Sequence, residues 1–306
     1  MPIMPSSYYA NLYSVNNFLN SGQNLVAKKY DIKQDTGAEK KTFVQGSGAK
    51  LVQDIKPITY TQTFEFPVLL GTNNNSDSPN IVNSVYSLVM PYINGQINAL
   101  NGGVTYDQNY FIEKYSLNAT ESELVETVVI KFSTDSGLPG RIVGPVGPVS
   151  PALNQPIVGP VRPGSPALKQ PTRMAKNYDV TLSLSPLSPV FVESANFTVN
   201  FENSVHYFVN NSGYATFLIK SYDVDQKFSI VGGESYTQDI FNVTSGNFVD
   251  IMPFISLSIR NRIFYSYTLP LVVKSRTDEY QSGNLIKVDL ELSIYGATVS
   301  SPFGYN

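Results

Sequence analysis

The sequence predicts an all-β protein built from two tandem β-barrels of sandwich or jelly-roll size. Three observations carry this: short β-like segments along most of the chain, one Pro-rich stretch dividing them, and matching segments on either side of the divide. At 306 residues and 33.7 kDa the chain exceeds one ordinary domain, and about 150 residues per domain gives two. Apolar residues make up 42% and charged residues only 15%, against roughly 25% charge in an average soluble domain, so much of the surface is suited to contact.

The first element is residues 1–24, which carry no charge. Tyr8, Leu12, Val15 and Leu19 recur there at helical spacing, with Ser6 and Ser7 as caps and Gly22 as a stop, so a short amphipathic helical arm is expected. Tyr8, Tyr9, Leu12, Tyr13, Val15, Phe18 and Leu19 give it too much apolar surface to remain free in water. It is assigned to contact between subunits or close to a membrane, the plainer alternative being docking onto its own first barrel.

From residue 25 the pattern turns to strands rich in Val, Ile, Phe, Tyr and Thr, such as "TFEFPVLL", "ETVVIKFS", "ANFTVNF" and "KFSIVGG". In "KVDLELSIYG", Val288, Leu290, Leu292 and Ile294 alternate with Asp289, Glu291 and Ser293, a strand with one buried face. Helical periodicity is nearly absent after the arm.

The divider is "IVGPVGPVSPALNQP" (142–156) followed by "IVGPVRPGSPALKQP" (157–171), a 15-residue unit repeated with 12 identities. Nine Pro between Pro139 and Pro171 deny most amides a ladder and favour an extended spacer or projecting loop. The expected division is an arm over 1–24, a first barrel over 25–137, the Pro-rich segment over 138–172 and a second barrel over 173–306.

Across that divide "MPYINGQI" (90–97) matches "MPFISLSI" (252–259). "IKPITYTQTFEF" (55–66) matches "IKSYDVDQKFSI" (219–230) through Ile, Lys, Gln and Phe, and "VVIKFS" (128–133) matches "VDLELS" (288–293). Lys114 and Lys274 share the 160-residue offset of the last pair. Three collinear matches indicate a diverged duplication of one β-unit, with each Met-Pro at a strand end and its Met and Ile in the core.

This plan resembles the double jelly-roll major capsid proteins of tailless icosahedral viruses with an internal membrane, above all the small ones from bacterial viruses. The resemblance rests on organisation over residues 25–135 and 175–298, without a signature motif. It implies a structural virion protein whose homotrimers form pseudo-hexagonal capsomers, and an N-terminal segment lying toward the membrane. It further implies assembly in the host cytoplasm, with neighbouring capsomers, a penton protein and an internal membrane as contacts. Two alternatives remain open: a tandem-domain phage tail-tube or baseplate protein, and a carbohydrate-binding β-sandwich adhesin.

The inventory of reactive groups is sparse. Without Cys there is no thiol nucleophile, thiolate metal site or disulfide, and any Ser-His-Asp triad must use His206, the one histidine. No Gly-x-Ser-x-Gly elbow or P-loop occurs, and "GSGAK" (46–50) reads as a loop. No enzymatic activity and no cofactor is expected. Asp223 and Asp225 in "YDVDQ" would share one face of a strand and could begin a hard-cation site, although a solvated strand face is the better reading. Seven Lys between Lys28 and Lys56 form a local basic run. With a net charge of −3 and a pI near 5.3, no specific nucleic-acid binding is expected. The N-terminus lacks a secretory pattern, and clean apolar runs such as "LPLVV" (269–273) are far below the ~18 residues that span a bilayer.

Overall fold

In chain order the elements are β1 (Leu12–Asn16), β2 (Asn24–Ala27), β3 (Lys29–Asp35), β4 (Glu39–Gln45), β5 (Gly48–Asp54), β6 (Thr59–Pro67), β7 (Leu69–Gly71), β8 (Asn80–Asn83), α1 (Tyr86–Gly102), β9 (Tyr110–Ala119), β10 (Leu124–Ser133), β11 (Arg141–Val146), β12 (Thr172–Met174), β13 (Val180–Leu184), β14 (Phe191–Tyr207), β15 (Ala215–Gly232), β16 (Ile255–Ile259), β17 (Arg262–Tyr267), β18 (Leu271–Glu279) and β19 (Ile286–Ile294). The computed structural model describes residues 12–35, 39–45, 48–54, 58–71, 80–102, 109–133, 138–146, 172–184, 191–207, 215–232, 255–259, 262–267, 271–284 and 286–294. The fold is predominantly β, as the sequence predicts.

Alternation puts one face of each long strand in the core. In β10, Leu124, Val128, Ile130 and Phe132 are buried while Thr127, Val129 and Lys131 point to the other, half-exposed face. Eight strands form one sheet in the order β18-β19-β15-β14-β9-β10-β6-β3, with every neighbouring pair antiparallel. Its apolar face joins α1 and the short strands in one buried cluster. That cluster runs from Phe64 and Phe66 through Tyr115 and Phe197 to Phe228 and Leu290. Each such buried side chain contributes roughly 1.5–3 kcal/mol through removal from water.

The two halves of the chain therefore share one sheet and one core among the described residues. The expected split into two barrels on either side of the Pro-rich segment is not a split of the hydrogen-bonded ladder, because β9 pairs directly with β14. With β10 on one side and β14 on the other, β9 has no free edge with which to close the first half on itself, and β14 between β9 and β15 has none for the second.

The expected helical arm is also replaced, over its described part, by strand β1, a 3₁₀ turn at Phe18–Asn20, and the start of β2. Asn17, Leu19, Asn20 and Gly22 all have positive φ, from 50° to 69°, and this reverses the chain so that β1 and β2 pair. Leu12, Val15, Phe18 and Leu19 are buried, with the Phe18 ring edge-on to Phe64 and Phe66 at 5.3 and 5.0 Å. A spacing of three and four thus serves a strand and turn folded onto the chain's own core. As an inter-subunit or membrane-proximal arm these four are unavailable; Tyr13 is half-buried, and Tyr8 and Tyr9 lie outside the described residues.

Two further corrections concern proline. Pro91 sits inside α1, so "MPYINGQI" is helical, and Val89, Met90, Ile93 and Ile97 supply the buried stripe. "ISLSI" of the second copy is β16, while Met252, Pro253 and Phe254 lie outside the described residues. Over its described part the match therefore sets a helix against a strand. At the other proline site, residues 142–146 of the spacer belong to β11, the edge of a three-stranded sheet with β1 and β2, the position in a sheet where proline is tolerated. Residues 147–171 are outside the described part.

Candidate assembly edges

The large sheet repeats its own strand order. Reading from one edge, the first half gives β3-β6-β10-β9 and the second gives β14-β15-β19-β18. In each half the sequence order of these positions is first, second, fourth, third. Since all neighbours are antiparallel, β3 and β14 run in the same direction, and one unit maps onto the other by a step along the sheet.

Register fixes the residue equivalences. Ile32, Gln62, Ile130 and Ile112 stand in one cross-strand row of the first unit. Phe197, Gln226, Leu292 and Val273 stand in the matching row of the second. Gln62 and Gln226 are both fully buried. Gln62 Oε1 and both amide atoms of Gln226 lack a hydrogen-bond partner, whereas Gln62 Nε2 donates to the Tyr30 hydroxyl at 2.9 Å. Both units also bulge at the same place, beside Ile112 and beside Val273, with Glu113 and Lys274 as the extra residues. The Gln match at an offset of 164 thus holds. The "VVIKFS" and "VDLELS" match is two residues out of step, because Ile130 corresponds to Leu292, and Lys274 corresponds to Glu113 rather than Lys114. A slip of two keeps every side chain on its face, so alternation could not detect it.

Where the units meet, Phe197 of β14 lies opposite Leu117 of β9, is 1% exposed and packs its ring against Tyr115 at 6.2 Å. Its counterpart Ile32 is on the outer strand β3 and is 46% exposed. The opposite outer strand, β18, carries Arg276 and Asp278 on the core side, opposite Leu290 and Val288. Arg276 donates to both Asp278 oxygens at 2.7 and 2.8 Å.

Buried polar groups hold the frame behind these edges. Glu126 shares the buried parity of Leu124 and Val128 on β10, a signal present in the sequence but missed as such. Its carboxylate accepts from Val85 N at 2.9 Å, Tyr115 OH at 2.9 Å and Ser84 Oγ at 3.2 Å, and so pins the start of α1. Burial raises its pKa to about 7 against the pull of those donors. Gln96 of α1 bonds both backbone groups of Ile112, at 2.8 and 2.9 Å, just beyond the last β9–β14 pair at Lys114 and Asn200. It takes the place of a neighbouring strand.

The sequence-predicted site residues fall as follows. Asp223 and Asp225 do share the polar face of β15, and the Asp223 pKa is raised by burial first and then by Asp225. Lys274 Nζ donates to Asp225 Oδ1, and among the described residues no cluster of three or more metal-ligating side chains forms. A cation would have to displace that ammonium. His206 is exposed near the end of β14, its Nε2 2.9 Å from Ser204 Oγ. No helix among the described residues is long and apolar enough to cross a membrane.

No protein-family model matches the chain, and no curated protein matches it. Among solved structures, a chain in the virion of a native gene transfer agent particle overlaps at a TM-score of 0.31 with 12% identity, covering 40% of this chain and 95% of that one. A chain in the tail of an empty gene transfer agent particle, with C6 symmetry, overlaps at 0.29 with 14% identity and the same coverage. At these scores neither overlap carries an argument about the present chain.

Proposed function

We propose that this chain is a structural subunit of a phage-like virion, made to line up in multiple copies around an axis, and that it is not an enzyme. The repeat of one four-stranded unit within a single sheet supports the reading. Two units related by a step along the sheet, each in the same strand direction, are the beginning of a series that further copies continue. A duplicated unit doubles the rotational order of the assembly, so that few chains build a ring of many equivalent parts.

Of the readings open from sequence, this favours the tandem tail-tube type over the trimeric shell capsomer. One sheet with β3 and β18 outermost among the described residues can be continued from copy to copy into a wall, whereas capsomers of upright barrels need two separately closed barrels. The penton and internal-membrane contacts belong to the shell reading and are not carried forward; the partners are further copies of this chain and other virion components. Negative-stain microscopy of the concentrated protein tests the proposal, with rings or stacked tubes expected. Flat hexagonal arrays would restore the shell reading. A dilution-insensitive monomer that binds glycans would replace both with the adhesin.

A further inference from the structure

We infer that the outer strand β18 of one copy pairs antiparallel with the outer strand β3 of the next, repeating between chains the β9–β14 junction found within the chain. This rests on the multi-copy reading above and names the surface that would carry it.

Three observations converge. First, direction: β18 occupies the position of β9 and runs the same way, and β3 occupies that of β14, so their meeting is antiparallel like the internal junction. Second, burial: Phe197 is covered at the internal junction while its counterpart Ile32 is 46% exposed on β3, and a neighbouring β18 would cover it. Tyr280, 58% exposed just past β18, would fall opposite half-buried Tyr30 in the transferred register, an aromatic cross-strand pair. Third, stagger: the β9–β14 ladder ends where Lys114 pairs with Asn200, and continuing it one step past the bulge at Glu113 would set Ile112 level with Phe201, four positions past Phe197. Each four-stranded unit therefore advances the ladder by four residues. Equal strand number and stagger is the ratio that closes eight-stranded barrels, with strands tilted about 36°. Three chains would close a wall of about 24 strands, roughly 45 Å across at about 4.8 Å between strands.

The Arg276–Asp278 pair has a part in this edge. Charges pointing to the core side of an outer strand discourage pairing with unintended chains. In the transferred register these two stand opposite Gln34 and Ile32, so a partner edge must accept polar groups on the core side. β3 does so with Gln34.

The chain contains no Cys, which makes disulfide trapping clean. Transferring the internal register puts Lys33 opposite Thr277, both exposed on the polar face. The variant with Lys33→Cys and Thr277→Cys should form, on mild oxidation of the assembled protein, a ladder of covalent multimers ending in a closed ring. Lys33→Cys paired with Asp278→Cys, which points to the other face, should not. Ile32→Asp should abolish both the ladder and the rings while leaving the urea unfolding midpoint of the single chain unchanged. Rings seen by microscopy without cross-linking, or rings that survive Ile32→Asp, would overturn this edge pairing and leave the ring-forming reading standing. Absence of any assembly from the parent chain would overturn that reading and the edge pairing together.

Discussion

Replacing Glu126 by Gln should remove a pH dependence of stability that the native chain carries. In the fold this carboxyl titrates near 7 because it is buried, against an ordinary value of 4.5. Between those two values the folded chain binds more protons at this position than the unfolded chain. Stability therefore falls as pH rises through the window, and is level below about 4.5 and above about 7. At 1.36 kcal/mol per pH unit the gap corresponds to about 3 kcal/mol. Gln keeps the shape, offers an oxygen to Val85 N–H, and turns its amide toward the Ser84 and Tyr115 hydroxyls, which can accept. Urea unfolding of both proteins at pH 5 and pH 8 measures the effect. The native protein should lose about 2.5 kcal/mol more than Glu126→Gln over that interval, which covers most of the window, an order-of-magnitude figure from the same linkage. His206 is present in both proteins and drops out of the comparison. Parallel losses would refute the reasoning, since they would mean that Glu126 is hydrated in the folded state.

Three other outcomes are expected. Phe197→Ala should cost about 3–5 kcal/mol and lower the melting temperature sharply, because it empties the junction between the two units, whereas Ile32→Ala in the isolated chain should be near neutral. Gln96→Ala should cost roughly 2–3 kcal/mol by leaving the Ile112 N–H and C=O unpaired, and amide exchange at Ile112 should accelerate more than at Tyr115. Asp225→Asn should change stability by less than about 1 kcal/mol, as expected for an exposed ion pair, and millimolar calcium should leave the melting temperature of the parent chain unmoved; a calcium-dependent rise would reinstate a cation site.

The strands were legible because period-two alternation is a local property. "KVDLELSIYG" became β19 with Val288, Leu290 and Leu292 buried as anticipated, and "ETVVIKFS" became part of β10. The helix α1 was not legible, because Pro91 reads as a strand end, while the stripe of Val89, Met90, Ile93 and Ile97 around it marks the buried face of a helix. The arm failed for the opposite reason. The spacing of Leu12, Val15 and Leu19 fits a helix, but positive φ at Asn17, Leu19 and Asn20 turns the segment back on itself so that those side chains enter the core.

By itself the sequence determined the predominantly β class and the presence of a repeated unit, through Gln62 and Gln226 in their matching contexts. Only the tertiary structure decided how the two units combine. Pairing β9 with β14 brings together segments some 80 residues apart, and alternation says which face a strand buries but not which strand lies beside it. The same limit hid the outer strands. Ile32 and Phe197 are both apolar in sequence, and only their places in the sheet leave one exposed at an edge and the other enclosed.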